Sequence, residues 1–176
     1  MDGHWVIPKR SDQTHTRGVE TMGYAVLPLD AIAALPVREQ AERDAHLYLW
    51  TTNAFMVQAH AVARAWGFEP KTILTWVKMR HDWSGPSMRT GYYFRGATEH
   101  VIFAVRGSLR LRTAEGLPTA FFWHREQHSA KPDAFYDLVE QASHPEYLEL
   151  FARRQRFNWS TWGNEAFKHV DLTVPA

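Results

Sequence analysis

The sequence predicts an α/β domain built on a mainly parallel sheet with helices on both faces. Three observations support that class. Short apolar runs of strand length recur along the chain, segments with helical apolar spacing stand between several of them, and 176 residues of which 45% are apolar suffice for one buried core. No internal repeat or low-complexity tract interrupts the pattern.

Residues 1–22 are polar and aperiodic, with Ser11, Asp12, Gln13, Thr14 and Thr16 close together, and read as an N-terminal arm. The domain is expected over residues 23–167, with a polar tail from 168 to 176. Behind Pro28, Leu29, Ile32 and Leu35 repeat at helical spacing and stop at Pro36, and residues 38–43 add a further turn. His46 to Trp50 is a strand-length apolar run. Thr51, Thr52 and Asn53 then supply caps for a helix carrying Phe55, Val57, Ala59, Val62 and Trp66, which Gly67 ends. Thr72 to Val77 reads as a buried strand, residues 78–96 as a polar loop, and Val101 to Val105 as another strand. Gly107, Gly116, Pro118 and three arginines mark residues 106–118 as a loop before the short strand Ala120 to Trp123. Pro132 and Asp133 open a helix whose Phe135, Leu138 and Val139 form an apolar stripe ending near Ser143. Tyr147 to Phe151 is a strand entering an arginine-rich turn, and Trp159 to Asn164 closes the fold.

Twenty basic and nineteen acidic residues leave a net charge of +1, so affinity for nucleic acid has to come from a local patch. The lack of cysteine excludes disulfides, thiolate zinc sites and cysteine nucleophiles. The first twenty residues hold Asp2, Lys9, Arg10, Asp12 and Arg17 without an apolar stretch, and no apolar run approaches transmembrane length. A cytoplasmic protein without a membrane partner is expected. His124 and His128 stand four apart, but no glutamate directly follows His124, Gln127 spoils the reversed zinc motif, and no third ligand is in view, so no metal is expected.

Several segments, each weak alone, form an ordered set. They are Leu29 to Ile32 ending in Leu35 and Pro36, Leu47 to Thr51, and Trp66, Gly67 and Phe68 leading to Trp76, Val77 and Lys78. The set continues with Gly91 to Gly96 before Glu99 and His100, His128 to Asp133, Glu149 to Arg153, and Trp162 to Glu165. In this order and spacing, from about Met22 onward, they resemble the mRNA-adenosine methyltransferase-like (MT-A-seventy) family, whose members methylate the exocyclic amine of adenine in RNA or DNA. The resemblance implies a Rossmann-like class I methyltransferase fold with permuted order, in which an Asp-Pro-Pro-Trp motif precedes the segments that bind S-adenosylmethionine. At the motif's place stands Asp2-Gly3-His4-Trp5, which keeps the acid and the aromatic and loses both prolines. No residue precedes Met1 to form the strand expected before it, so the first strand is expected to be missing. A trimmed or mis-started chain and a diverged homologue both account for this departure.

The implied chemistry sets out what each residue would do. Adenine's amine is a poor nucleophile because its lone pair is delocalised into the ring, so the amine must be held near the sulfonium methyl, and such placement lowers a barrier by on the order of 7–11 kcal/mol. By the resemblance Asp2 would accept the amine's hydrogens and Trp5 would stack on the base. Gly3 and His4 in place of the rigid diproline weaken that preorganisation. Lys131, just before Pro132, resembles the lysine that pairs with the cofactor's methionine carboxylate. Arg153, Asn164 and Glu165 match positions that contact its ribose and adenine. Lys78, Arg80, Arg89, Tyr92, Tyr93 and Arg95, with Trp83 and Phe94, mix cations for phosphates with rings for unstacked bases. A solvated loop with anchoring aromatics is the competing reading there, and an exposed terminal residue is the competing reading for Asp2.

The expected function is therefore methyl transfer from S-adenosylmethionine to the N6 amine of adenine, by direct displacement and without metal. The bare domain, without added RNA-binding modules, favours DNA over RNA, and a homo- or heterodimer is an expected assembly. The alternative is a catalytically inactive homologue that serves as a nucleic-acid-binding or scaffold subunit.

Overall fold

The computed structural model describes residues 27–88, 91, 93–125, 131–163, 166, 168–170 and 172. Along them run helices α1 (Leu29–Ala33) and α2 (Val37–Gln40), strand β1 (Ala45–Thr51), and a 3-10 turn (Asn53–Phe55) leading into helix α3 (Met56–Ala65). Strands β2 (Glu69–Met79), β3 (Thr98–Arg106) and β4 (Ala120–His124), helix α4 (Asp133–Ala142), and strands β5 (Tyr147–Leu150) and β6 (Trp159–Trp162) follow. The expected N-terminal arm lies outside the described residues, among which no helix is long and apolar enough to cross a membrane.

Four strands pair in the order β1-β3-β2-β4, and β5 pairs with β6 in a second sheet. The larger sheet is mixed, which corrects the mainly parallel expectation. β3 runs antiparallel to both β1 and β2, and the parallel pairs are β2 with β4 and β5 with β6. The reason lies in the connection from β2 to β3. Parallel neighbours need a crossover, usually a helix, whereas this connection has no helix among its described residues and the chain folds back beside the strand it left. α3 does act as a crossover: it carries the chain from β1 to β2, which point the same way with β3 between them.

Helices cover both faces, as the unbroken apolar runs require. On one face, Ile32, Leu35, Val37, Val62, Ala63 and Trp66 pack with Leu49, Ile102 and Ala104. On the other, Phe135, Leu138 and Val139 of α4 pack with Val101, Tyr48, Trp50, Leu74, Phe121 and Trp123. Successive strand residues point to opposite faces, so Leu49 and Trp50 of β1 belong to different halves of the core. The indole N–H of buried Trp66 donates to the Ile32 carbonyl at 3.1 Å and fastens the end of α3 to α1.

Gly67 stops α3 as its position in the sequence predicts. Its φ of +83° lies in the left-handed region, its N–H donates to Arg64 O at 2.9 Å, and the Phe68 N–H donates to Ala63 O at 2.9 Å. Together these satisfy two carbonyls that the helix end would leave open. A Cβ there would meet only the Arg38 side chain at 3.6 Å, so the cost of Gly67→Ala is conformational. It should lower the unfolding free energy by about 1–2 kcal/mol, read as a shifted urea midpoint at constant slope.

No backbone ladder joins the two sheets among the described residues, yet they share both halves of the core. α4 spans them on one face: Phe135 meets Trp50 edge-on at 4.7 Å between ring centroids, and Tyr136 meets Trp159 at 5.1 Å. Leu150, Phe151 and Trp162 join the cluster on the opposite face. Ser143, at the end of α4, lies 2.8 Å from both the Tyr48 hydroxyl and His46 Nδ1 of β1. These contacts place the start of α4 at the edge where β1, β2 and β5 end, which is where α/β folds build ligand sites.

Candidate functional site

Three buried ionised side chains meet at that edge. Lys78, the last residue but one of β2, donates to Glu99 Oε1. Lys131 precedes α4 and donates to Glu99 Oε2 at 2.7 Å. Glu99 stands at the start of β3, which the antiparallel pairing brings to the finishing end of β2. The side chains of Lys78, Glu99 and Lys131 are 9%, 10% and 13% exposed, low enough that water hardly screens them. Aromatic faces line the cluster. The Lys131 ammonium lies 4.6 Å from the Trp50 ring centroid and that of Lys78 lies 4.9 Å from Trp76, both at cation–π range. Burial alone would raise the pKa of Glu99, but the Lys131 and Lys78 charges outweigh it and hold it down to about 2, from an ordinary 4.5. Among the described residues the cluster holds two ammonium groups and one carboxylate, beside the α4 N-terminus, whose cap residue Pro132 offers no side-chain hydrogen bond. The arrangement suits an anion.

A second cluster sits where β5 ends. The Tyr136 hydroxyl of α4 donates to Glu149 Oε1 at 2.8 Å, while buried Oε2 of Glu149 has no hydrogen-bond partner among the described residues. Burial pushes the Glu149 carboxyl up, against the Tyr136 hydrogen bond and the Arg154 charge. Burial also raises the Tyr136 hydroxyl, reinforced by Glu149. Arg154 pairs with Asp133 in the first turn of α4, and its guanidinium lies 5.5 Å from the centre of the Tyr136 ring. Arg156 reaches Glu140 at 2.9 Å and Asp137 at 2.5 Å. An unpartnered buried acceptor calls for a donor from a ligand, since leaving it bare costs about 1–3 kcal/mol.

The backbone between these strands is tightly apposed. Ala152 N–H donates to Trp162 O at 3.0 Å, and a Cβ on Gly163 would stand 2.2 Å from Ala152 O and 2.6 Å from Ala152 N. Only hydrogen fits at that position.

The profile of the MT-A70 family matches residues 3–165, nearly the whole chain. The chain belongs to the MT-A70 family. It is similar to a protein named type II methyltransferase M.MunI from Mycoplasma sp, with 32% identity over 145 residues, 81% of this chain and 59% of that one. It is also similar to a protein named N6-methyladenosine RNA methyltransferase MTA1 from Cryphonectria parasitica, with 25% identity over 96% of this chain and 51% of that one. The chain thus spans between half and three-fifths of the length of these curated relatives.

In this MT-A70 chain the structure brings only part of the expected site together. Lys131 stands beside the α4 N-terminus as expected, but shares Glu99 with Lys78. Lys78 is placed differently from the expectation. It belongs to β2, not the loop, and points inward because it shares a strand face with Leu74 and Trp76, two residues apart in turn. Arg153 is exposed just past β5, and Arg80, Tyr93 and Arg95 are exposed between β2 and β3. Asp2, Trp5, Arg89, Tyr92, Asn164 and Glu165 lie outside the described residues.

Glu99, Glu149 and Tyr136 were given no role by sequence reasoning. A signal existed for both acids. Glu99 shares its strand face with buried Val101, and Glu149 interrupts the apolar run from Tyr147 to Phe151, so each charge falls where a side chain is pressed into the core.

Proposed function

We propose that this MT-A70 chain transfers a methyl group from S-adenosylmethionine to the N6 amine of adenine in a nucleic acid. The observation that carries the reading is the buried Lys78–Glu99–Lys131 cluster at the edge where β1 and β2 end. It offers a fixed cation for the cofactor's carboxylate, and one donor of the Lys131 ammonium is engaged by Glu99, leaving others for a ligand. The unpartnered Glu149 Oε2 suits the paired hydroxyls of the ribose. Both fit the cofactor's chemistry at opposite ends. When bound, the cofactor supplies an activated methyl group on a sulfonium; the protein's part is to position the amine, keep water out and hold charge in place. Trp50 and Trp76, crossing at 83° with centroids 6.0 Å apart, give the cation cluster apolar walls. Asp2 and Trp5 complete the reading as hydrogen-bond acceptor and stacking wall for the base.

The finer fold reading is a Rossmann-like class I methyltransferase sheet in permuted order. What supports it is the division of the sheet: β1 and the β5–β6 pair share core on both faces but no backbone ladder among the described residues. We assign the place between them to the strand that leads into the acidic motif.

The relative named as an RNA methyltransferase and the one named as a type II methyltransferase support methyl transfer as the activity. Isothermal titration of the chain with S-adenosylmethionine tests the reading, followed by labelled-methyl transfer to adenine-containing DNA and RNA in parallel. Lys131→Ala should weaken cofactor binding roughly 10- to 100-fold while Glu99 keeps Lys78 as its partner. A folded chain that takes up no cofactor would sink the proposal and leave the scaffold alternative standing.

A further inference from the structure

We propose that Trp83, backed by His124 and His81, is a stacking platform for a nucleobase next to the target adenine, in a single-stranded or locally opened nucleic acid. The inference rests on the methyltransferase reading and extends it to how the strand is gripped.

Three rings from two segments meet beyond the ends of β2 and β4. His124 closes β4, and its ring stacks on that of His81 with centroids 5.3 Å apart and 21° between planes. The same ring meets the indole of Trp83 at 4.2 Å and 61°. His124 Nδ1 lies 2.9 Å from the Arg80 carbonyl, which can only accept, so this nitrogen carries the proton and the ring is locked to the loop. Asp82 Oδ1 accepts from the Ser84 N–H at 3.0 Å and the Ser84 hydroxyl at 2.7 Å, and Met79 bridges to Pro86. The loop is braced.

Within this brace Trp83 has a φ of +56°, a left-handed conformation that large side chains seldom adopt. The strain brings the indole no burial, since Trp83 remains 56% exposed. What it does is hold an aromatic face outward on a stiff backbone. Exposed Arg80 and half-exposed Arg125 lie on the same two chain segments as the rings. A flat aromatic face flanked by guanidinium groups matches a base with its phosphates, and it disfavours an apolar protein surface. Position points to a neighbouring base and not to the target. β2 and β4 are parallel, so both deliver the rings to the edge that holds Lys78, beside the cation cluster but outside it.

The test measures binding of a short single-stranded oligothymidylate with one central adenine, followed by fluorescence anisotropy, for the unaltered full chain, Trp83→Ala and Trp83→Phe. A second strand carries abasic sites on both sides of the adenine. Trp83→Ala should weaken binding on the order of tenfold, and Trp83→Phe should retain most of the affinity because a ring still stacks. The abasic strand should cost the unaltered chain a similar factor and leave Trp83→Ala unchanged. Equal affinity of the unaltered chain and Trp83→Ala overturns the platform, as does an alanine loss that persists undiminished on the abasic strand. An unaltered chain that takes up S-adenosylmethionine yet binds neither strand also overturns it. Absence of both cofactor uptake and methyl transfer marks instead the failure of the underlying reading, and the platform falls with it.

Discussion

Replacing Glu99 with alanine is expected to lower the free energy of unfolding by about 3–5 kcal/mol, a large share of the ~5–15 kcal/mol that holds a domain together. The substitution removes the buried carboxylate that the Lys78 and Lys131 ammonium groups share beside the Trp50 and Trp76 rings. Replacing Lys78, Glu99 and Lys131 together by methionine, leucine and methionine should restore most of that stability, because apolar groups of similar volume need no counter-charge. The triple variant should still take up no cofactor. Urea unfolding and cofactor titration of the two proteins then separate the cluster's structural cost from its binding role. The same cluster sets an acid limit. Glu99 has its folded pKa depressed from 4.5 to about 2, so its contribution is complete above the ordinary value and fades as pH falls through that interval. Glu149 works the other way: burial raises its carboxyl, so protonation relieves it and softens the loss in acid.

Gly163→Ala is expected to be severely damaging although it exchanges a single hydrogen for a methyl group. The obstacle at 2.2 Å is the carbonyl of Ala152, backbone that no rotamer change can move. Relief requires the ends of β5 and β6 to part, breaking the 3.0 Å hydrogen bond from Ala152 to Trp162 and shifting the segment after β5 that carries Arg153 and Arg154. Stability should fall by about 3 kcal/mol, the upper end of overpacking costs, and cofactor affinity should fall beyond tenfold. Gly116→Ala, where a Cβ meets nothing within 4 Å, is the control and should change neither. A Gly163→Ala protein with unaltered urea midpoint and cofactor affinity would refute the close approach.

Particular elements show why some of this was legible in the sequence. The run from His46 to Trp50, the stop at Gly67 and the stripe of Phe135, Leu138 and Val139 are local patterns, and each became the element expected. Strand direction is not local. The run from Val101 to Val105 looks the same whichever way it is paired, and the connection before it, with no helix among its described residues, goes with the antiparallel β3. The ion cluster is equally non-local, since Glu99 takes partners 21 and 32 residues away along the chain. A lysine at the end of an apolar run reads as the start of a loop until the fold supplies a carboxylate opposite it. The placement of Lys131 ahead of α4 was legible because a cation just before a helix-opening proline is a pattern contained in adjacent residues.

The division between the two sheets has a consequence for how the protein behaves in solution. Where a sheet stops short of its neighbour, the bordering strands present N–H and C=O groups that no ladder saturates, and such borders recruit extended chain from other molecules. Among the described residues no strand pairs with the side of β1 away from β3, beside its apolar residues Leu47 and Leu49. A strand paired along that side of β1 would therefore protect solubility as well as shape a site, and leaving that side bare should promote self-association through the same backbone groups.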